Sequence, residues 1–298
     1  MWQKNKARIA LGMGIFLISI YPVLVKALGD LSVVSAFYRM FISAVCLLPV
    51  LFWKNMALPK GKLLLGSIFC GLLFGLDVYC WNLAIEASSA TQGTLLTNLA
   101  PVFVGIFTFL FLPNKPKRNF WIGSAVAVLG MVTFIGWEVF ADLSFDRGFI
   151  LGISSAILYA VYILTSKVIL EEVAVFPYML INTATASIIL GSVNYIHNEP
   201  FTGFSSNEWF ILIIGGVFCQ LFAWLLISYA TKYMRATRVS LSLLSQTVFA
   251  SLLASLILRE YISLQAFIGG MIILVGVALT FIEKPFKLGL KQDFKKIK

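Results

Sequence analysis

Charged residues are scarce in this sequence. Asp, Glu, Lys and Arg make up only 12% of its 298 residues, about half the share found in an average soluble domain. Hydrophobic residues account for 60%, and the mean hydropathy is +0.93. One core of this size could not shield so much apolar side chain from water. The composition therefore excludes a soluble globular enzyme, a nucleic-acid binder and a disordered chain, and it indicates that the protein's solvent is lipid.

Sequence motifs of common catalytic and metal-dependent chemistry are absent as well. The chain contains no Walker P-loop, no HExxH and no GxSxG, and His197 is its single histidine. Four cysteines lie inside hydrophobic stretches without a CxxC pair, which predicts packing roles rather than disulfides or metal binding. We therefore predict no metal site and no cofactor.

Long hydrophobic runs dominate what remains. A membrane-spanning helix needs about 20 apolar residues, and ten such runs follow one another with short connectors. They cover residues 8–28, 32–53, 62–85, 90–112, 119–137, 148–169, 175–196, 209–231, 238–258 and 263–283. Because the runs are continuous rather than alternating, a porin-like barrel is excluded. The sequence predicts an all-α membrane protein with ten transmembrane helices.

The basic residues predict how these helices are oriented. If the N-terminus lies in the cytoplasm, eighteen Lys and Arg residues fall on the cytoplasmic side of the runs. The opposite side then carries only Arg147 and Arg259. Cytoplasmic loops collect Lys and Arg, so we predict that both the N- and C-termini are cytoplasmic.

The two halves of the chain resemble each other at an offset of 146 residues. Matching positions include Ala84 with Ala230, Phe103 with Phe249 and Gly130 with Gly276. We predict a first five-helix repeat in residues 1–142, a second in residues 143–284, and a basic tail in residues 285–298. Five is an odd number, so the second repeat must be inverted in the membrane, as is typical of transporters.

Several motifs in these repeats resemble one known family. They are the segment from Ala84 to Ala90, the run from Leu99 to Phe103, the segment Ala230-Thr231-Lys232-Tyr233, and Tyr38-Arg39-Met40 in the second run. Together they resemble the EamA-type family of the drug/metabolite transporter superfamily over nearly the whole chain. One departure is Pro113-Asn114, where the family often has Gly-Glu; the second copy keeps Glu260.

This resemblance implies a carrier in a bacterial inner membrane, with its central cavity between the two inverted halves. It also implies a small-molecule substrate, since members mostly export amino acids or other metabolites, and some import cofactors. Monomer and homodimer both remain open.

Ionisable residues within the runs are the first candidates for function, because a charge at the bilayer centre costs ~3 kcal/mol on insertion scales. Asp77 lies near the middle of the third run, with Trp81 one turn later on the same face. It could bind a proton or a substrate amine, or it could be a structural partner of Arg39 or of helix amides. Arg39 could pair with a substrate carboxylate, but a structural or coupling charge is the interpretation we favour.

Uncharged polar and aromatic residues extend this candidate site. Asn98, Gln220 and Gln246 are large amides that helix packing alone satisfies poorly, so they are candidates to line the cavity. Trp81, Tyr159, Tyr162 and Trp224 could line the same space and stack on a planar solute. Pro101 should kink the fourth helix near Asn98.

Two lysines occupy matching positions of the two repeats. Lys26 and Lys167 could simply extend to the membrane surface, or each could help to gate one end of the cavity. The sequence thus predicts a secondary transporter of a small organic metabolite, such as an amino acid, with export favoured. Import of a vitamin or nucleotide-like cofactor is the alternative on the same fold. A lipid-modifying membrane enzyme is a disfavoured alternative, because no cluster of acid, base or metal-binding residues is present.

Overall fold

The computed structural model describes residues 2–28, 32–87, 90–137 and 145–282. This part of the chain is helical and contains no strand. Its ten candidate membrane spans, α1 to α10, confirm the all-α prediction. Six are single helices: α2 (Ser32–Trp53), α3 (Gly61–Ala87), α5 (Arg118–Ile135), α6 (Arg147–Glu172), α7 (Val175–Ile196) and α10 (Leu264–Phe281).

The other four spans are built from consecutive segments. They are α1 (Trp2–Ser19 and Tyr21–Leu28), α4 (Ala90–Thr97 and Ala100–Phe111), α8 (Ser206–Ile214, the π-helix Gly215–Phe222, and Ala223–Tyr233) and α9 (Ala236–Leu243 and Ser245–Leu258).

Contacts between helix ends show which ends share a face of the bundle. We call the end at which α1 begins the first face, and the other end the second face. At the first face, the Arg8 guanidinium lies over the ring of Phe281 at the end of α10, 5.6 Å from its centroid. At the second face, Lys26 near the end of α1 forms an ion pair with Glu260, just beyond the end of α9.

Helix packing relates the two halves of the chain. Helix α5 packs on α10 and α2 packs on α7, so each pair joins corresponding helices of the two halves. Helix α3 packs on α6, and α1 packs on α8. In both pairs, the third helix of one half contacts the first helix of the other half. This arrangement is compatible with two inverted repeats. The predicted boundary at residue 142 and the tail at 285–298 lie outside the described residues.

Glycines allow α5 and α10 to approach at backbone distance. A Cβ atom on Gly269 would lie 2.2 Å from the backbone nitrogen of Phe134. A Cβ on Gly130 would lie 2.6 Å from the backbone nitrogen of Ile273. A side chain at either glycine would displace the backbone of the facing helix. The close contact between α5 and α10 therefore requires glycine at both positions.

Two spans are interrupted at corresponding positions. In α4 the helix is broken by a turn at Asn98–Leu99, and Pro101 is the second residue of the segment that follows, as the sequence predicts. In α9 the interruption is at Leu244, which the 146-residue offset aligns with Asn98. Leu244 has no proline behind it, and this second break was not predicted.

Candidate functional site

Asp77 is buried near the middle of α3, where this helix packs against α4 and α6. Its residue is 6% exposed, and one carboxylate oxygen accepts a hydrogen bond from the Ser155 hydroxyl at 2.6 Å. The Ser155 oxygen also lies 3.2 Å from the Thr97 hydroxyl of α4. The carboxylate is thus held by one neutral donor, and no ion pair joins it to another residue in the described segments.

Four aromatic residues form a cluster that begins one helical turn from Asp77. We call Phe74, Tyr159, Tyr162 and Trp224 the aromatic cluster. The Phe74 ring is stacked on Tyr162 with a centroid distance of 4.8 Å, and it lies 4.7 Å from Trp224. Tyr159 lies 5.9 Å from Tyr162 and 6.4 Å from Trp224. Phe74 precedes Asp77 by one helical turn, so the cluster lies between Asp77 and the first face.

The π-helix of α8 and the α-helical turn that follows it carry polar groups that lack partners. Gln220 is fully buried, yet neither its amide nitrogen nor its amide oxygen has a hydrogen bond. The indole nitrogen of Trp224 also has none. Buried polar groups in proteins are nearly always satisfied by protein or water, and π-helical turns are frequent at functional sites. These atoms are therefore available to a solute or to water.

Arg39 approaches the same region from α2. It is 8% exposed, and its guanidinium lies over the Tyr21 ring, 4.2 Å from the centroid. Within the described segments, Arg39 and Asp77 form no ion pair. The predicted alternative of a direct structural pair between Asp77 and Arg39 is therefore absent from this structure.

Three other predicted site residues are less closely placed. Trp81, Asn98 and Gln246 are half-buried. Within the described segments, no ring contact or side-chain hydrogen bond joins them to Asp77 or to the aromatic cluster. Asn98 lies at the α4 break, where its backbone nitrogen donates to the Thr94 carbonyl at 3.1 Å.

The two predicted gating lysines lie at opposite faces. At the first face, Lys167 donates to the Lys232 carbonyl at 2.6 Å and lies 3.2 Å from Glu171. Lys232 in turn donates to the Val173 carbonyl at 2.9 Å. These bonds tie the ends of α6 and α8 together. At the second face, Lys26 pairs with Glu260 and so joins α1 to α9.

The sequence did not single out every residue of this region. Phe74 contributes the central ring of the cluster, but it has the same appearance in the sequence as any apolar residue of α3. Asn182 of α7 is fully buried, with both side-chain amide atoms unbonded. A large amide inside a hydrophobic run was the signal that selected Asn98, and it would have selected Asn182 too.

This arrangement suits binding rather than covalent chemistry. A buried carboxylate offers a counter-charge to a cation, and aromatic faces attract cations as well. The unbonded amide and indole groups could fix the orientation of a bound solute.

Comparisons with known proteins agree with this architecture. The sequence profile of the EamA-like transporter family matches residues 7–136 and again residues 146–282. A crystal structure with 18% sequence identity superposes with a TM-score of 0.79, covering 93% of this chain and 96% of the other. At that identity the likeness concerns the fold.

Several proteins with similar sequences are named as transporters. An uncharacterized transporter of Archaeoglobus fulgidus is 26% identical over 82% of this chain and 86% of its own. The uncharacterized transporter YdfC of Bacillus subtilis is 22% identical over 83% and 81%. An S-adenosylmethionine uptake transporter of Rickettsia felis is 25% identical over 64% and 67%.

Proposed function

The chain belongs to the EamA-like transporter family, and from this premise we propose that it is a secondary transporter of a small organic amine. An amino acid or a related metabolite is the first candidate, and export is the favoured direction. The family and the names of the relatives indicate a transporter rather than an enzyme. The observation that carries the proposal is the buried Asp77 carboxylate, which has one neutral hydrogen-bond donor and, among the described residues, no counter-ion.

An amine would offset the cost of burying this carboxylate. A charge at mid-membrane costs ~3 kcal/mol on insertion scales, and one hydroxyl donor returns only part of that. An ammonium group in contact with Asp77 would add a charge-assisted hydrogen bond. The neighbouring rings of the aromatic cluster would add roughly 0.5–2 kcal/mol through cation–π attraction. A proton would neutralise the same carboxylate, so proton coupling is a further part of the proposal.

The contacts at the two faces support alternating access. Between Asp77 and the first face lie the packed aromatic cluster and the bonds of Lys167 and Lys232. Opening that face requires these contacts to separate while Lys26 and Glu260 hold the second face. Rocking of the two inverted halves would then close the first face and open the second.

The charge distribution supports an orientation. Basic residues concentrate at the first face, among them Lys54, Lys115 and Arg238. Cytoplasmic loops collect Lys and Arg, so we place the first face in the cytoplasm and propose a bacterial inner membrane.

Import of a cofactor is the second candidate function. It is favoured by the relatives named S-adenosylmethionine uptake transporters in Rickettsia species. S-adenosylmethionine carries an amine and a sulfonium cation that suit Asp77, and an adenine ring that suits stacking on aromatic side chains.

Flux into proteoliposomes tests both candidates. Labelled amino acids and labelled S-adenosylmethionine would be offered from either side, with and without a pH gradient. We expect Asp77→Asn to lower the flux of the transported compound at least about tenfold, the effect of one lost charge-assisted contact. Glu86→Gln is the matched control, because it removes an exposed carboxylate from the same helix. Equal flux in the wild type and in Asp77→Asn would refute the proposed site.

A further inference from the structure

We infer that Arg39 forms a carboxylate subsite next to Asp77, so that the transported amine is a zwitterion held at both of its charged ends. The inference rests on the proposed function and narrows its substrate class. Asp77 would hold the ammonium group, and Arg39 would hold an acidic group on the same molecule. The inference takes up the sequence alternative in which Arg39 pairs with a substrate carboxylate, in place of the favoured structural or coupling charge.

The first argument is that no anion from the described part of the chain neutralises Arg39. The residue is more than nine-tenths buried within a membrane span. Its Nε atom has no hydrogen-bond partner, and no carboxylate of the described segments pairs with it. A buried charge without a paired partner is costly. A guanidinium presents a planar fork of donors that matches a carboxylate with two parallel hydrogen bonds.

The second argument is that the guanidinium is positioned in advance. The Tyr21 ring of α1 lies 4.2 Å from the guanidinium carbon, and the Tyr21 hydroxyl is fixed by Ser35 at 2.9 Å. This contact holds the guanidinium beside the ring, while its buried Nε atom has no hydrogen bond. A residue needed only for packing would have that donor satisfied by protein.

The third argument is that other polar groups in the surrounding helices are also unbonded. Ser43 follows Arg39 by one turn on α2, and its buried hydroxyl has no partner. The π-helix of α8 packs against α2 and contributes the unbonded amide of Gln220. Trp224 follows Gln220 by one turn of α8 and contacts Phe74, which precedes Asp77 by one turn of α3. A zwitterion placed between Arg39 and Asp77 would satisfy both charges.

Matched ligand pairs separate this role from a structural one. Thermal shifts and binding isotherms would be measured on the purified protein in chloride-free buffer. The probes are L-phenylalanine with phenethylamine, L-leucine with isoamylamine, and S-adenosylmethionine with its decarboxylated form. We expect Arg39→Gln to weaken the binding of the carboxylate-bearing member by about tenfold or more. Its amine partner should change less than about twofold, because that compound does not reach Arg39.

Control variants keep the result interpretable. Arg147→Gln removes an exposed arginine and should change neither member of a pair. Asp77→Asn should weaken both members, and Arg39→Lys, which keeps the charge but loses the fork, should restore part of the carboxylate preference. If Arg39→Gln does not fold, the wild type still decides, because it must prefer each amino acid to its amine.

The outcomes distinguish the inference from the proposed function. Equal weakening of both members by Arg39→Gln, or equal wild-type binding of both, overturns the subsite and leaves the amine site at Asp77 standing. In a further outcome, chloride alone stabilises the wild type but not Arg39→Gln, with no preference for the carboxylate-bearing probes. That result assigns Arg39 to an inorganic anion and also overturns the subsite. If no probe binds to the wild type, both the inference and the proposed amine site fail.

Discussion

The contact between α5 and α10 gives a quantitative prediction for Gly269→Ala. The added Cβ would lie 2.2 Å from the backbone nitrogen and 2.4 Å from the Cα of Phe134. Both are backbone atoms, so no flexible side chain can move aside. Ordinary van der Waals contact begins near 3.4 Å, and the two helices would have to separate by roughly 1 Å, enough to lose up to about half of each contact's attraction.

The expected destabilisation is about 2 kcal/mol. Overpacking of a closely packed site costs ~1–3 kcal/mol, and a backbone clash belongs at the upper end of that range. Alanine offsets up to ~1 kcal/mol through its higher helix propensity. The free energy of unfolding can be measured by SDS titration in mixed micelles, with tryptophan fluorescence as the readout.

Gly12→Ala is the matched control for this prediction. A Cβ on Gly12 would meet nothing within 4 Å, so the same substitution in α1 should leave stability unchanged or raise it by up to ~1 kcal/mol. If Gly269→Ala proves as stable as Gly12→Ala, the two helices do not touch at backbone distance, and the described packing of α5 on α10 is wrong.

Three further predictions concern the cluster, a helix cap and a loop. Phe74→Ala should lower the free energy of unfolding by ~3 kcal/mol because it leaves a buried cavity, whereas Leu65→Ala on the exposed side of α3 should cost far less. Asp146→Ala should lower the free energy of unfolding by ~1 kcal/mol because it removes the N-cap of α6. Asp146→Ser should keep most of the capping stabilisation. Tyr38→Phe removes the hydrogen bond to the Phe201 carbonyl and should speed amide exchange in residues 197–208. An unchanged free energy of unfolding would contradict the first or the second prediction, and an unchanged exchange rate would contradict the third.

Hydropathy was sufficient to predict the ten helices, because each span must satisfy its backbone internally and present apolar side chains to lipid. The break in α4 was also predictable, since Pro101 has no amide hydrogen to donate. The break at Leu244 and the π-helix at Gly215–Phe222 have no such local marker. They depend on packing against other helices, which a single sequence does not specify.

The candidate site was predictable in part for a similar reason. Helical spacing grouped Tyr159 with Tyr162, and the structure brings both rings to Trp224. Spacing also grouped Trp81 with Asp77, yet one turn along α3 takes Trp81 to a half-buried position. Periodicity defines the face of one helix, but it does not determine how far along that face the neighbouring helices extend.

The break in α4 also has an electrostatic consequence. The segment Ala90–Thr97 ends inside the membrane, and the last carbonyls of a helix carry a negative partial charge of up to about half a unit. Pro101 cannot donate to the Thr97 carbonyl, so one of these oxygens loses the donor that a regular helix would supply. Thr97 is joined through Ser155 to Asp77. The backbone thus adds its own attraction for cations here, and neutralising Asp77 should leave part of that attraction in place.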